Sequence, residues 1–312
     1  MGQIITADQL KPGDVLLYKC NSMIARAIRF FDGTEVSHAA LCLDPPKCVG
    51  EALAGQGLIR NYLGQSINPC ECIFVRRRHP EPENIGPVIK RAQFYLAENN
   101  RYAYEQILLL AIICSIRKAD MTNPTFLRLA QVVVDSAISI LDRFQREDKE
   151  PMICSEFVFR CYDEADNRPG NPYSIKILSQ ATQRQERLPL TVHPDSLWGK
   201  LLNEGRLSES LAPMTDSCPD VTCVTVARIE NIIEEYLESQ NEPSRAKSSR
   251  VIEDAENERL TTAIFDSVTQ LILRLVSQKA MGAQVIANWV TPGDLFRSPS
   301  LKEVGTMFPR YL

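Results

Sequence analysis

The apolar positions of this chain change their period as it runs. Between residues 15 and 78 they come in short runs: VLLYK after Pro12-Gly13-Asp14, then VSHAALCL, CVGEAL, GLIR and CIFVRRR. Runs of this length, bounded by Gly, Pro and Asp, predict strands at residues 15–19 and 36–43 and in the three later runs. Together they predict a small, mostly antiparallel sheet. One stretch in this region, NSMIARAIRFF, has helical spacing behind Asn21 or Ser22 as a cap. DPPK, after residue 43, breaks two of the runs apart and predicts a hairpin loop.

Further on the period is helical. VIKRAQFYLAEN, residues 105–118, residues 124–147 and a segment from Cys154 each predict a helix. Two more amphipathic segments, RIENIIEEYLESQ and ERLTTAIFDSVTQLILRLVSQ, predict a helical hairpin. The polar stretch between them, residues 241–257, predicts a mobile loop. The closing TPGDLF echoes KPGDVL near the start and HPDSLW at His193, each marking a turn into a strand or helix. The fold class is α+β, a small antiparallel sheet packed on helices. Three parts are expected: a first domain over residues 1–200, a helical insertion over 201–285, and a C-terminal segment over 286–312 that returns to the first domain.

Composition narrows the function. The formal net charge of −4 lacks the basic surplus of a nucleic-acid binder. Arg76-Arg77-Arg78 is the densest basic cluster and fits a solvated strand end. No charged segment leads into an apolar run at the start, so no secretory signal is expected. The longest apolar run, residues 107–116, is shorter than the roughly 20 residues a bilayer requires, so a buried helix is expected and no membrane span. A cytoplasmic chain fits these features, as does one delivered into a host cell. MGQIIT also fits the N-myristoylation pattern at Gly2. The ten cysteines form no C-x-x-C pair. Cys70-Glu71-Cys72 with His79 resembles half a metal site without a second half. Scattered reduced thiols in a reducing compartment, with no metal and no cofactor, are therefore expected.

Cys154 opens the segment CSEFVFRCYD, three residues after Pro151. A helix N-terminus favours a thiolate and can hold an oxyanion on its backbone N–H groups. Cys154 is equally the first apolar position of a stripe that continues through Phe157, Val158, Cys161 and Tyr162, so a core role stays open. A nucleophile needs a base, and there are three histidines. His79 looks like an exposed strand end and His193 like a turn. His38 lies within a strand between small residues. If DPPK is a four-residue hairpin loop without a bulge, Leu43 pairs with Cys48 and Ala40 with Glu51. Glu51 is then the diagonal neighbour of His38 on one face. Cys154, His38 and Glu51 form a candidate nucleophile, base and orienting acid.

The order KPGDVLLY, SHAAL, GEALAGQGL and, much later, CSEFV resembles the circularly permuted branch of the NlpC-type papain-like cysteine hydrolases, the YiiX-like group. Gly13-Asp14, Ser37-His38, Glu51 and Cys154-Ser155-Glu156 match its motifs, with the histidine strand ahead of the cysteine helix. The closing TPGDLFRSPSLKEVG matches its tail. The likeness covers residues 5–166 and about the last twenty, and leaves out the helical hairpin. It implies a permuted papain-like fold and an acyl-enzyme on Cys154, with His38 as base and Glu51 orienting it. It also implies the backbone N–H of Cys154 as an oxyanion donor. Tyr18 is a possible second donor; a core tyrosine with a solvated hydroxyl is the other reading. Peptide, amide or lipid substrates are implied. The alternatives are a lipid acyltransferase using the same residues, its acyl chain lined by residues 107–140, and a non-catalytic module. In the last, the insertion would bind a protein partner or a second copy.

Overall fold

The computed structural model describes residues 3–53, 56–97, 105–146, 151–178, 191–203, 223–241, 250–277 and 287–311. After a 3-10 turn at Ala7–Gln9 come β1 (Val15–Cys20), α1 (Met23–Asp32), β2 (His38–Asp44), β3 (Cys48–Leu53), β4 (Gly57–Tyr62), a short α2 (Leu63–Ile67) and β5 (Cys70–Arg78). The helical part follows: α3 (Gly86–Ala97), α4 (Glu105–Ile116), α5 (Pro124–Arg146), α6 (Cys154–Asp163), α7 (Leu197–Asn203), α8 (Cys223–Asn241) and α9 (Arg250–Ser277). α10 (Pro292–Arg297) and β6 (Leu301–Met307) close the chain.

The class is α+β. Six antiparallel strands form one sheet in the order β4-β3-β2-β1-β5-β6. The C-terminal segment thus completes the sheet beside β5. Side chains alternate across a strand, and the two faces bury different cores. Leu17, Ala39, Leu41 and Ala52 join the large core shared with the helices. Leu16, Tyr18, Ala40 and Val49 face a smaller core, closed by Ile5 and Leu10 from the N-terminal segment and by Leu63 and Ile67 of α2.

Several expectations change. The DPPK hairpin carries a bulge, so Asp44 rather than Leu43 stands opposite Cys48, yet the register at Ala40 and Glu51 is unaffected. The thiols are not all reduced. Cys20 of β1 stands opposite Cys70 of β5 and the two form a disulfide across 50 residues of sequence. A bulge after Lys19 creates that pairing, and no spacing rule could have revealed it. This removes the cysteine argument for a reducing compartment, and Cys70 is no longer a ligand candidate. Among the described residues no cluster of three His, Cys, Asp or Glu side chains could hold a metal. α9 already begins at Arg250, so the second half of the expected loop is helical. Its Glu, Ala and Arg residues favour helix regardless of their polarity. Residues 242–249, and Gly2 of the myristoylation pattern, lie outside the described residues.

α8 packs on α5 and α1, and α9 on α5 and α7. Ile229, Ile233, Ile264 and Val268 from these helices belong to the same core as the sheet-facing residues. α5 is the one described helix long and apolar enough to cross a membrane, but α4, α8 and α9 pack on it and 56% of its most apolar stretch is buried.

Two ion clusters built on buried aspartates fasten the fold. Arg117, just past α4, donates from Nε to Asp32 Oδ1 at 2.8 Å and from Nη2 to Asp294 Oδ1 at 2.7 Å. It thereby joins the end of α1 to α10. The N–H of Gly293 also donates to Asp32. The PGD turn ahead of β1 is built on the same plan. Asp14 accepts the N–H of Lys11 and the guanidinium of Arg77.

Candidate active site

His38 is the first residue of β2, paired with Tyr18 of β1. Ala40 pairs with Glu51, which makes Glu51 the diagonal neighbour of His38. His38 Nε2 and Glu51 Oε2 are 2.9 Å apart. His38 is 8% exposed and Glu51 1%, so the pair meets with little competition from water.

Glu51 has two further partners. Asn61 Nδ2 donates to Oε1 at 2.7 Å, and Ser66 Oγ lies 3.0 Å from Oε2. Burial alone would raise the pKa of the carboxyl. The hydrogen bonds from His38, Asn61 and Ser66 outweigh burial and hold it below the ordinary carboxylate range. Tyr18 lies beside the imidazole with ring centroids 5.3 Å apart. Its hydroxyl is buried against Ser66 Oγ at 2.7 Å, so it is not solvated. Burial and the nearby Glu51 charge push its pKa upward.

Cys154 begins α6, which has Ile153 as N-cap and no side chain capping it. Helix starts leave their first N–H groups without helical partners, and here the start is buried: Ile153, Cys154 and Ser155 are each 1% exposed or less. Ser155 Oγ anchors it by donating to Val290 O at 2.7 Å. The direction of α6 follows from two contacts. Phe157 Cζ stands 3.1 Å from where a Cβ on Gly50 would lie, with Gly50 opposite Leu41 in mid-strand. Further along, the Tyr162 hydroxyl donates to Gly13 O, and Gly13 N–H donates to Cys42 O near the end of β2. α6 therefore runs parallel to β2 and carries Cys154 to the end where His38 begins. Gly50 and Leu41 face α6, whereas His38 and Glu51, by alternation, face the smaller core.

Gly13 supports this seat directly. It has φ +85°, which favours glycine, and an added Cβ would stand 2.5 Å from Ile85 Cγ1. The far end of α6 is tied by Arg160, which donates from Nε to Glu156 and from Nη1 to Glu164 at 2.7 and 2.8 Å and from Nη2 to Asn288 at 2.9 Å.

The other histidines are placed elsewhere. His193 Nδ1 accepts the N–H of Asp195 at 3.0 Å in a turn. His79 is exposed at the end of β5. Burial pushes the thiols of Cys42 and Cys114 up to about 12, which leaves them protonated at neutral pH.

Asn61 and Ser66 were not picked out from the sequence. For Asn61 a signal existed: Glu51 pairs with Ile59, so Asn61 is its diagonal neighbour on β4. Ser66 lies on α2, a five-residue helix too short to leave a period.

No family model matches the chain, and no curated protein does. Among solved structures the chain is similar to the metalloprotein YiiX from Escherichia coli O157:H7. The identity is 14% and the TM-score 0.33, over 65% of this chain and 85% of that one.

Proposed function

We propose that this chain is a cysteine hydrolase of amide or ester bonds, built on a permuted papain-like arrangement, with Cys154 as nucleophile, His38 as base and Glu51 as orienting acid. The observation that carries the reading is the 2.9 Å contact between His38 Nε2 and Glu51 Oε2, at the end of β2 to which α6 brings Cys154.

His38 takes the thiol proton of Cys154 on Nδ1 while Nε2–H stays on Glu51. The thiolate attacks the substrate carbonyl carbon, forming a C–S bond and moving the carbonyl electron pair onto oxygen. The buried N-terminal turn of α6 offers the Cys154 N–H to that oxyanion. Collapse breaks the bond to the leaving amine or alcohol, which receives the proton from His38. Water then gives a proton to Nδ1 and attacks the thioester, releasing the acid and restoring the thiol.

Two geometric demands come with this reading. The His38–Glu51 pair faces the smaller core, and the body of α6 packs on the other face. The thiol must therefore meet Nδ1 around the first residue of β2. Cys154 is also closed to solvent, so a substrate reaches it only when its cover opens.

The acyltransferase alternative gains no separate support. The apolar residues of α4 and α5 are buried in the main core, against α1, α7, α8 and α9.

The deciding experiment incubates the full chain with a carbonyl-electrophile thiol probe, then with a mixture of peptides and phospholipids, and maps adducts by mass. His38-dependent labelling of Cys154 and an acyl adduct on it are expected. Labelling of Cys154 that ignores His38→Ala would sink the reading.

A further inference from the structure

The surroundings of Glu51 hold more than a base and its acid require. Tyr18 comes from β1, Asn61 from β4 and Ser66 from α2, yet all three converge on this one carboxylate or its partner. Ser66 Oγ stands between two groups, 2.7 Å from Tyr18 Oη and 3.0 Å from Glu51 Oε2. Tyr18, Ser66 and Glu51 are 0%, 7% and 1% exposed, so water does not replace a missing partner.

Proton counting fixes the direction of these contacts. Each hydroxyl has one proton to give, and an ionised carboxylate only accepts. If Ser66 gave its proton to Tyr18, its lone pairs would face Glu51 Oε2. The Tyr18 proton would then lack an acceptor, because among the described residues its hydroxyl bonds only to Ser66. The arrangement that satisfies every group runs the other way. Tyr18 O–H donates to Ser66 Oγ, and Ser66 O–H donates to Glu51 Oε2 beside the N–H of His38. Asn61 occupies Oε1 at 2.7 Å. An anion with donors on both oxygens cannot rotate without losing one, so its aim at Nε2 is fixed.

We propose that Tyr18 and Ser66 form a directed hydroxyl chain that, together with Asn61, holds Glu51 as an oriented anion against His38 Nε2, and that Ser66 and Asn61 are positioning residues of the site. The role in positioning rests on the cysteine-hydrolase reading; the chain itself does not. No proton moves along it in turnover. Its consequence is a tautomer: neutral His38 carries its proton on Nε2, leaving the lone pair on Nδ1.

The test separates the two layers. In the full-length Cys154→Ala protein, the Glu51 side-chain carboxyl is titrated by carbon NMR and the His38 tautomer is read from ring-nitrogen shifts. Ser66→Ala and Asn61→Leu each remove a donor from the anion, so each is expected to raise the Glu51 midpoint by about half a unit or more. Ser66→Thr keeps the hydroxyl and should restore it. Tyr18→Phe should move the midpoint less than Ser66→Ala, because Ser66 still donates. An unmoved midpoint in both Ser66→Ala and Asn61→Leu, or a neutral imidazole protonated on Nδ1, overturns the proposal. With Cys154 present, Ser66→Ala should also slow its alkylation, and Ser66→Thr should recover the rate. If the Glu51 midpoint shifts but alkylation never depends on His38, the hydroxyl chain stands and the hydrolase reading falls.

Discussion

Glu51 reaches His38 from the neighbouring strand, 2.9 Å from Oε2 to Nε2, because Ala40 rather than His38 is its register partner. A diagonal pairing leaves the long glutamate side chain to span the gap, and the shorter Asp would fall back from the ring. The contact also occupies one edge of the imidazole, so any thiol must be served by the other.

Cys154 should be the labelled thiol and Cys161 inert, although both are buried on the same helix. Cys154→Ala should abolish turnover and probe labelling while the fold survives. Cys161→Ala should leave labelling intact and cost about 1 kcal/mol or less of stability, since one sulfur is removed from a packed stripe. Mass mapping after electrophile treatment, with urea unfolding of both variants, checks this. Adducts on Cys161 in the wild type would contradict it.

The alkylation rate of Cys154 against pH should respond to His38 and Glu51 in different ways. His38→Ala should slow turnover by ~10²–10⁴-fold, the usual worth of a general base, and the Cys154→Ala/His38→Ala double variant should be no worse than either single one. Glu51→Gln keeps an acceptor for Nε2–H but loses the charge that stabilises the imidazolium, so it should cost less than His38→Ala. The thiol midpoint should rise in Glu51→Gln and rise further in Glu51→Ala. A midpoint that stays put in Glu51→Ala removes Glu51 from the site.

Glu51 should also make the fold acid-sensitive. Its carboxyl is held below the ordinary range in the folded protein. A group depressed on folding contributes stability that is complete above its unfolded pKa, roughly 4.3. That contribution is lost as pH falls through the lower folded value. Urea midpoints from pH 6 down to about 3 should therefore fall more steeply for the wild type than for Glu51→Gln, which has nothing to protonate. Parallel curves would show that folding does not depress the carboxyl.

How far the sequence could go is visible in these same residues. The register joining His38 to Glu51 was readable because DPPK limits the hairpin loop and side chains alternate. The bulge that moved Cys48 opposite Asp44 did not reach Glu51. A cap at Asn21 or Ser22, of which Ser22 takes the role, and the start of α6 at Cys154 followed from local chemistry. Long-range pairings were not readable. Cys20 meets Cys70 only because β1 and β5 are neighbours with a bulge after Lys19. Ser66 meets Glu51 only because α2 folds over the smaller core. The polar start of α9 misled because polarity marks solvent exposure, not loop, when the residues favour helix.

Arg117 should matter to stability out of proportion to its distance from the site. It is 7% exposed and bridges Asp32 and Asp294, both at 3% or below. Arg117→Met leaves two buried carboxylates facing each other, with Arg297, 3.4 Å from each, as the remaining cation among the described residues. Removing one partner of a buried ion cluster costs about 3–5 kcal/mol. Burial and the adjacent Asp32 already raise the Asp294 pKa. A carboxyl raised on folding regains stability as pH falls, so the Arg117→Met deficit should shrink towards the carboxylate range. A deficit that is small, or that grows with acid, would show that Arg117 is not the clamp.

Gly50 tests whether the seat of α6 sets the position of Cys154. It lies in mid-strand, and an added Cβ would stand 3.1 Å from Phe157 Cζ and 3.2 Å from Leu43 Cδ1. Replacing a strand glycine normally helps through the unfolded chain, by about 0.5–1 kcal/mol. Gly50→Ala therefore sets that gain against a ring that must retreat by a few tenths of an ångström, and should be nearly neutral. Gly50→Val adds two more carbons against Phe157, and overpacking of this kind costs about 1–3 kcal/mol. The strain falls one helical turn from Cys154, so α6 should shift away from the sheet and take the thiol from His38. Alkylation of Cys154 should slow in Gly50→Val, with a smaller change in Gly50→Ala. Phe157→Leu shortens the side chain opposite and should recover part of the lost rate when combined with Gly50→Val. Recovery beyond the sum of the single effects identifies the contact itself as the cause. A Gly50→Val protein that is less stable but alkylates at the wild-type rate would show that the fit of α6 on β3 does not govern the thiol.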